Sequence, residues 1–264
     1  MLVPEQIRKC VVFICYRDGT KTQVAGTGFF LGKPLGENRH CLGVITAQHV
    51  LNNIRHKSAD QKVLLRVNLK NKPADFAASD LSQWRIHPYD AAADVAVLPA
   101  APSPDVDYLA VPMSMAATSE IISKESIGPG DEVFITGLFV NHFGEERNIP
   151  ILRIGNIAAM PEEKVKTDTM GPMDAFLIEA RSIGGLSGSP VFVHLTGVRN
   201  NVFTVGPPPI YLLGLMHGHW DAEVTKNDSI QKDQFERERV NMGIAIVVPV
   251  QKIIETVDQF TTVQ

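Results

Sequence analysis

The sequence is poor in cysteine, and its few cysteines do not make an even set. Only three occur in 264 residues, whereas a secreted domain of this size usually carries paired cysteines in disulfides. Cys10 and Cys15 fall inside or beside an apolar segment, which predicts buried free thiols rather than nucleophiles or metal ligands. Residues 1–9 also lack the basic and apolar segments of a secretory signal. We therefore expect a reducing compartment, the cytoplasm.

Strong charge of one sign and long apolar runs are absent too. The formal net charge is −4, which gives no basic footprint for nucleic acid or for an anionic membrane surface. No apolar run approaches the roughly 20 residues that a membrane-spanning helix needs. We expect neither nucleic acid nor a membrane as a partner. What the sequence does contain is 44% hydrophobic residues, enough for a large core.

Helical periodicity is scarce before the C-terminus. Short apolar segments bounded by turn signals recur instead, and Val63, Leu65, Val67 and Leu69 alternate to one face as in a half-buried strand. Many short strands at such spacing favour barrels or a sandwich over β-α-β units. Only the last segment differs, because Pro249 precedes an amphipathic helical pattern. We predict an all-β fold with a C-terminal α-helix.

Three segments in chain order carry residues suited to acyl transfer by a serine. Residues 44–50 form a strand pattern that runs into a turn presenting His49. Residues 93–98 place Asp94 at the head of an apolar strand. Residues 184–190 place Ser187 in a glycine-rich turn followed by a proline and another apolar strand. Each segment alone is weak, since glycine and serine also make ordinary turns, but their combination predicts a catalytic constellation.

The chemistry explains why these residue types are needed together. A serine hydroxyl is almost never ionised near neutral pH, so it needs a base, which His49 would supply. Asp94 would hold the imidazole in the required tautomer and stabilise the imidazolium. Glycines let the amides of Gly185 and Ser187 point the same way, toward a developing oxyanion. We therefore predict His49, Asp94 and Ser187 as catalytic residues, and Gly185 and Ser187 as the oxyanion hole.

Two alternatives bear on this constellation. Asp90 competes with Asp94 for the role of the acid, although the start of an apolar strand is the better place for a buried carboxylate, so we favour Asp94. An α/β-hydrolase would place its catalytic residues in the order Ser, Asp, His and would need glycine where Ser189 stands. The order found here is that of chymotrypsin-like enzymes.

The same segments resemble those of trypsin-like (chymotrypsin-fold) serine peptidases, nearest to the bacterial-type branch that includes the HtrA proteases. Residues 46–50 are similar to the family's Thr-Ala-x-His signature, and residues 94–98 to its Asp-(Ile/Leu)-Ala-Leu signature. Residues 185–190 resemble Gly-Asn-Ser-Gly-Gly-Pro. Three other segments resemble strands of the family: residues 26–29, 130–133 and 243–249. The resemblance therefore extends from about residue 9 to the C-terminal helix.

This resemblance implies two six-stranded antiparallel β-barrels with the site in the cleft between them. It divides one trypsin-like domain into an N-terminal barrel (residues 1–98), a linker (99–127), a C-terminal barrel (128–248) and a helix (249–264). It implies no cofactor and no metal. Leu186 stands where digestive relatives carry an aspartate, so we expect no activation by N-terminal cleavage. We also expect no PDZ domain, since no such segment follows the barrel.

The resemblance also suggests residues that contact the substrate. It places Arg181 at the base of the specificity pocket, where a cation would suit an acidic side chain before the cut bond. The alternative is that Arg181 pairs with Glu179 or faces solvent. His217 and His219 lie on the strand expected to pair with the substrate backbone, and His217 replaces a small serine near the catalytic acid. Because His217, His219 and Asp221 alternate, they could instead ligate zinc, although nothing else completes such a set.

Three hypotheses for function follow. The favoured one is a cytoplasmic serine endopeptidase that acts on a protein or peptide substrate. A second is a catalytically quiet module that binds peptides in the groove between the barrels. Residues 222–241 are dense in charge, which predicts a solvated excursion rather than a docking site. In the third hypothesis this excursion closes the cleft of a latent protease until a regulatory partner protein moves it.

Overall fold

The computed structural model describes residues 3–260, except 37–38, 168, 182–183, 200–201, 204–205 and 226–236. Two predominantly antiparallel β structures, one from each half of the chain, pack against each other. The predicted all-β double-barrel architecture with a C-terminal helix is confirmed. No helix in the ranges described is both long and apolar enough to cross a membrane.

The N-terminal half contains two helices and the first eight strands. They are α1 (Glu5–Lys9), β1 (Val11–Asp18), β2 (Lys21–Pro34), β3 (His40–Thr46), α2 (Gln48–Lys57), β4 (Lys62–Leu69), β5 (Lys72–Asp80), β6 (Arg85–Ile86), β7 (Ala96–Pro99) and β8 (Val111–Pro112). A 3₁₀ turn, Leu81–Gln83, connects β5 to β6.

The C-terminal half follows a short connecting helix, and one more helix ends the chain. Its elements are α3 (Ser119–Lys124), β9 (Glu132–Gly137), β10 (Ile151–Ala159), β11 (Val165–Thr167), β12 (Gly171–Met173), β13 (Phe176–Glu179), β14 (Pro190–His194), β15 (Val198–Arg199), β16 (Val202–Phe203), β17 (Ile210–Thr225), β18 (Arg237–Pro249) and α4 (Val250–Asp258). The predicted division of the chain into barrels and linker stays a prediction.

The N-terminal sheet is ordered β5-β4-β1-β2-β3-β7-β6, with β8 added parallel to β2. Among the residues described it has eight strands rather than the expected six, because the two-residue strands β6 and β8 pair at its margins. The first six residues of β1 are all buried, as expected for an apolar run enclosed on both faces. Cys10 and Cys15 are buried free thiols, as predicted, and burial raises the pKa of the Cys15 thiol to about 12.

The C-terminal half is a closed barrel in the order β10-β13-β18-β17-β14-β9. Its interior is apolar, whereas the stacked rings of Phe134 and Phe192, whose centroids are 5.2 Å apart, pack with the hydrophobic core of the N-terminal half. Close backbone contact in the wall requires glycine at Gly214, since a Cβ there would lie 1.8 Å from the carbonyl oxygen of Val248. The closed barrel thus supports β14 and β17, the two strands that flank the site, rigidly.

Helix α4 returns from this barrel to the N-terminal half. Lys252 donates a hydrogen bond to Asp90 at 2.7 Å, and Glu255 lies 2.7 Å from Nε2 of His87. Asp90, the alternative candidate for the catalytic acid, therefore anchors the C-terminal helix.

Strands β17 and β18 continue beyond the barrel as a hairpin. Their register extends to the pair of Thr225 with Arg237. The two ends of the charged segment 222–241 are therefore strands, because the pairing of the barrel wall continues outward. The prediction of a solvated, gating excursion falls mainly on residues 226–236, which lie outside the described residues.

Candidate active site

A buried carboxylate, that of Asp94, lies at the centre of the site. Its side chain is fully buried, two residues before β7. Oδ1 accepts the backbone N–H of His49 at 2.8 Å, and Oδ2 lies 2.6 Å from Nδ1 of the same histidine. His49 is in the first turn of α2, directly after β3, so both of these groups reach one carboxylate. With Nδ1 as the donor, Nε2 of His49 is the nitrogen left to accept a proton.

A second imidazole shares the same carboxylate oxygen. His217 Nδ1 lies 2.6 Å from Asp94 Oδ2, and the ring centroids of His217 and His49 are 5.2 Å apart in an edge-to-face arrangement. Asp94 thus accepts hydrogen bonds from two rings, one contributed by each half of the chain. Both oxygens of the buried carboxylate are therefore hydrogen-bonded within this trio.

The position of His217 depends on irregularities in β17. The register with β18 shifts between Met216 and Gly218 and again between His219 and Asp221. Such bulges re-aim side chains and break the strict alternation of a strand. The proposed zinc set of His217, His219 and Asp221 relied on that alternation. The structure groups His217 with His49 and Asp94 instead, and the Asp221 side chain lies outside the described residues.

The hydroxyl of Ser187 belongs to the same cluster but points to a different acceptor. It donates to the backbone carbonyl of His217 at 3.1 Å. Within the described part of the chain, no hydrogen bond joins it to His49. His217 therefore bonds two other residues of the site: its ring bonds Asp94, and its backbone carbonyl bonds Ser187.

Thr27, on β2, ties the turn containing Ser187 to the N-terminal half. Its buried hydroxyl donates to the carbonyl of Gly185 at 2.7 Å and accepts the N–H of Leu138 at 2.9 Å. Its own N–H donates to the carbonyl of Ser187 at 2.9 Å. Its carbonyl accepts the hydroxyl of Thr46 at 2.7 Å. The hydroxyl and the N–H of Thr27 thus hold the turn, while its carbonyl is bonded by Thr46 within the N-terminal half.

Glycine is required in this turn for steric reasons. Gly188 has φ +83°, and a Cβ there would lie 2.2 Å from the carbonyl oxygen of Thr27. Across the interface, a Cβ on Gly26 would lie 3.0 Å from the carbonyl oxygen of Ser187. The two halves of the chain therefore approach each other more closely at the turn than side chains would allow.

The N–H groups of Gly185 and Ser187 are the predicted oxyanion donors. In the ranges described, neither the N–H of Gly185 nor that of Ser187 donates to a backbone carbonyl. Gly185 has φ +98°, a conformation that favours glycine, and Thr27 fixes its carbonyl. Two N–H groups two residues apart that bond no carbonyl of the described residues, on a turn held by hydrogen bonds, suit a ligand with a partial negative charge.

The electrostatics of the site keep Asp94 ionised. Burial alone would raise the pKa of this carboxyl, because desolvation disfavours the charge. Attraction to His49 and the hydrogen bonds from His217 and His49 oppose burial, and the net result is a pKa well below the usual range of an aspartate. The carboxylate can therefore orient and stabilise a positively charged imidazole at neutral pH.

Two of the residues predicted to contact the substrate, Arg181 and His219, are not part of the group formed by His49, Asp94 and His217. Arg181 is exposed, and its carbonyl accepts the Nε–H of Arg153 at 2.9 Å. Among the described residues it makes no ion pair with Glu179. Residues 182–183, which connect it to the turn containing Ser187, lie outside the described residues. His219 lies on β17 opposite Ala245.

Sequence reasoning missed the roles of two threonines. Thr27 was recognised only as part of the segment 26–29, and a strand pattern does not reveal that its hydroxyl bonds a turn 158 residues away. Thr169 lies in the turn between β11 and β12, and its hydroxyl is 3.2 Å from Nε2 of His217. No sequence signal pointed to Thr169, because its contact depends on how this hairpin folds over the site.

Solved structures of other proteins share this fold. The protease domain of MamO from Magnetospirillum magneticum, in its apo form, is similar over 94% of this chain and 96% of its own, with a TM-score of 0.54 and 15% sequence identity. Deg5 is similar over 98% of this chain and 91% of its own, with a TM-score of 0.52 and 16% identity. No protein-family model and no curated protein matches this sequence. At these identities the likeness establishes the fold alone.

Proposed function

We propose that this chain, which has the trypsin-like fold, is a serine endopeptidase that cleaves peptide bonds through an acyl-enzyme. The observation that carries the proposal is the fully buried Asp94 carboxylate, which accepts both the backbone N–H and Nδ1 of His49. A carboxylate so placed fixes the tautomer in which the other ring nitrogen is a base. Ser187 bonds the His217 carbonyl beside this pair, on a turn in which the N–H groups of Gly185 and Ser187 donate to no backbone carbonyl of the described residues.

The reaction assigns one task to each group. Nε2 of His49 takes the Ser187 proton as Oγ attacks the substrate carbonyl carbon, and the amides of Gly185 and Ser187 stabilise the resulting oxyanion. The imidazolium then gives the proton to the leaving nitrogen as the C–N bond breaks. Water, deprotonated by the same imidazole, hydrolyses the ester and restores the hydroxyl. Before the first step the Ser187 hydroxyl must exchange its hydrogen bond to the His217 carbonyl for one to His49.

His217 acts as a positioning residue in this mechanism. Its ring bonds Oδ2 of Asp94 while the backbone N–H of His49 bonds Oδ1, so each oxygen of the carboxylate has a donor that fixes it. It also stays close to the imidazolium that forms during the reaction, so its own charge state affects the stability of that ion.

The substrate backbone would add to the edge of β17. In the described residues, β14 pairs with β17 only as far as Leu215, whereas beyond that point the register pairs of β17 are with β18 alone. An extended peptide adds readily to such an edge through main-chain hydrogen bonds. We propose that His217 and His219 line this position and that Arg181 favours an acidic side chain before the cut bond. A cleavage profile on a proteome-derived peptide library, repeated with Arg181→Gln, tests the preference, which is expected to weaken in the variant.

Labelling with a fluorophosphonate tests the proposed function. The probe reacts with a serine hydroxyl only when a base and an oxyanion hole activate it. We expect stoichiometric labelling at Ser187, abolished by Ser187→Ala and by His49→Ala. Circular dichroism of each variant serves as the folding control. A folded chain that remains unlabelled in EDTA, both intact and with residues 226–236 replaced as described below, would rule out the endopeptidase.

A peptide-binding module without catalysis is the second candidate. The observation that favours it is the hydrogen bond of the Ser187 hydroxyl to the His217 carbonyl, which leaves the hydroxyl turned away from the base. It predicts that library peptides bind, as measured by enrichment on immobilised protein, but that none is cleaved. Cleavage of the enriched peptides by the wild type and not by Ser187→Ala would exclude this candidate.

The third candidate is a latent protease in the cytoplasm that a partner protein activates. Thr225 and Arg237 form a register pair, so residues 226–236 can be replaced by Asn-Gly, a two-residue hairpin turn, without disturbing either strand. A gating role predicts faster fluorophosphonate labelling of the shortened chain. An unchanged labelling rate would remove gating by this segment.

A further inference from the structure

The site contains one imidazole more than a Ser-His-Asp triad requires, that of His217. One ligand atom from each of His49, Asp94 and His217 lies within 4.8 Å of the other two. The side chains are 16%, 0% and 7% exposed, respectively, so the group is largely removed from solvent. Among the residues that the structure describes, this is the one cluster of three metal-ligating side chains.

This combination of donors is typical of transition-metal sites. Imidazole nitrogen and carboxylate oxygen are common ligands of Zn²⁺, and sites with an open position combine three such protein ligands with a water or substrate molecule. Asp94 provides the negative charge from a fully buried position, and a buried carboxylate attracts a cation strongly. We propose that His49, Asp94 and His217 form an inhibitory binding site for a divalent transition-metal ion of the Zn²⁺ class.

Inhibition follows from either way of coordinating the ion. If the metal takes Nδ1 of His49, the proton of that nitrogen moves to Nε2, which then has no lone pair for the proton of Ser187. If the metal takes Nε2, the same lone pair is already used. Both cases remove the general base while the ring stays neutral. This consequence rests on the proposed function, whereas metal binding itself does not.

His217 is the residue on which the site depends. Without it, one imidazole and one carboxylate remain, too few to hold a transition-metal ion against water. Its ring is already oriented, because Nδ1 faces Asp94 and Nε2 lies 3.2 Å from the hydroxyl of Thr169. Outer partners of this kind fix the orientation of metal-binding histidines. Thr169 is thus placed as the outer partner of the site.

Binding of Co²⁺ to the Ser187→Ala protein tests the site without any need for catalysis. We expect one Co²⁺ per chain, seen as visible absorption bands. His217→Gln keeps an N–H donor for Asp94 but lacks the imidazole, and His217→Ser removes both. Each should weaken Co²⁺ binding by at least about 10-fold, the lower limit for loss of even an outer partner. His56→Ala, at an exposed position on α2, is the matched control for adventitious histidine binding and should bind as the parent does.

Two results would overturn the site: no Co²⁺ bound at millimolar concentration by the folded parent, or undiminished binding by folded His217→Gln. Far-ultraviolet circular dichroism establishes folding of each variant. A second arm measures the rate of fluorophosphonate labelling of the unsubstituted chain with Zn²⁺ and with EDTA. Zn²⁺ should slow labelling and EDTA should restore it. Unchanged labelling of the Zn²⁺-saturated chain would overturn the inhibitory role.

The two arms separate failure of the metal site from failure of the proposed function. A chain that binds Co²⁺ through His217 but is never labelled in EDTA keeps the metal site and loses the endopeptidase. A chain that is labelled but binds no Co²⁺ keeps the endopeptidase and loses the metal site.

Discussion

The two sides of the site, the Asp94–histidine group and the turn containing Ser187, differ in how firmly their polar groups are held. On the acid–base side, Asp94 accepts three hydrogen bonds of 2.6–2.8 Å from two histidines. On the nucleophile side, the hydroxyl of Ser187 makes one bond of 3.1 Å to a backbone carbonyl. The backbone around that hydroxyl is nevertheless fixed, because Thr27 bonds the residues on both sides of Leu186.

This difference shows that the fold positions the buried carboxylate and the imidazole before any substrate binds. Burying a carboxylate and orienting an imidazole require many cooperating contacts, so they are built into the framework. Rotating a serine hydroxyl involves one torsion with a small barrier, and substrate binding can drive it. A site that holds its base rigidly and leaves its nucleophile to the last step also leaves room for a competing ligand at the base.

Removing one group from each side gives the largest expected effects. Ser187→Ala and Asp94→Asn should reduce turnover of a library-derived peptide by about six and about four decades respectively, because the first removes the nucleophile and the second permits the wrong imidazole tautomer. Turnover and fluorophosphonate labelling of purified, folded variants provide the measurement. A loss of less than tenfold in Asp94→Asn would mean that the rigid side is not the catalytic acid–base pair.

Substitution of Thr27, which bonds the turn containing Ser187 to the N-terminal half, should have the next largest effect. Thr27→Val keeps the shape of the side chain but leaves the N–H of Leu138 and the carbonyl of Gly185 without their partner. Each unsatisfied buried group costs about 1–3 kcal/mol of the free energy of unfolding. Because the oxyanion turn loosens without losing a donor, turnover should fall by about 10–100-fold, less than the loss of a donor itself.

Thr46→Val is the control for this variant, since Thr46 bonds the carbonyl of Thr27 and not the nucleophile turn. It should lower stability with a smaller effect on turnover, as measured by urea unfolding and peptide cleavage. Equal losses of turnover in the two variants would mean that Thr27 acts through general stability rather than through the turn.

These two levels of the site were not equally predictable from the sequence. His49, Asp94 and Ser187 stand in short local patterns, and a buried acid before an apolar strand or a serine among glycines can be recognised locally. The resemblance placed His217 near the catalytic acid, but its direct contact with Asp94 depends on bulges in β17, which shift side chains by one residue and leave no reliable pattern. Thr27 and Thr169 reach the site across long separations along the chain, so only the folded structure reveals them.

The same reasoning applies to the fold. Strand-rich architecture and the C-terminal helix followed from periodicity, because period-2 and period-3.6 patterns are local properties. The continuation of β17 and β18 beyond the barrel did not, since their outer residues are charged and look like a solvated loop. Pairing with a neighbouring strand, which the sequence does not show, decided the conformation there.

Acid should first reduce the contribution of the Asp94 carboxylate to the free energy of unfolding. The pKa of Asp94 is lowered in the folded state, so its contribution to stability is present above the unfolded value of about 3.9 and is lost as the pH falls toward the folded value. Urea unfolding between pH 7 and pH 3 should therefore show the wild type losing stability relative to Asp94→Asn below about pH 4. Parallel pH profiles for the two proteins would show that this carboxylate is not stabilised by folding.

The smallest expected effect tests the nucleophile side at Ser189, directly behind the turn. Ser189 is fully buried and its hydroxyl has no hydrogen-bond partner among the residues described, while a Cβ on Gly137 would lie 1.9 Å from its Oγ. Ser189→Ala removes an unsatisfied polar group from an apolar wall, so the free energy of unfolding should rise by about 1 kcal/mol with turnover unchanged. Thr136→Val, at the other unsatisfied hydroxyl found there, should shift stability in the same direction. If Ser189→Ala is instead destabilising, the hydroxyl has a partner that forms in solution, and the nucleophile side is held more firmly than the comparison implies.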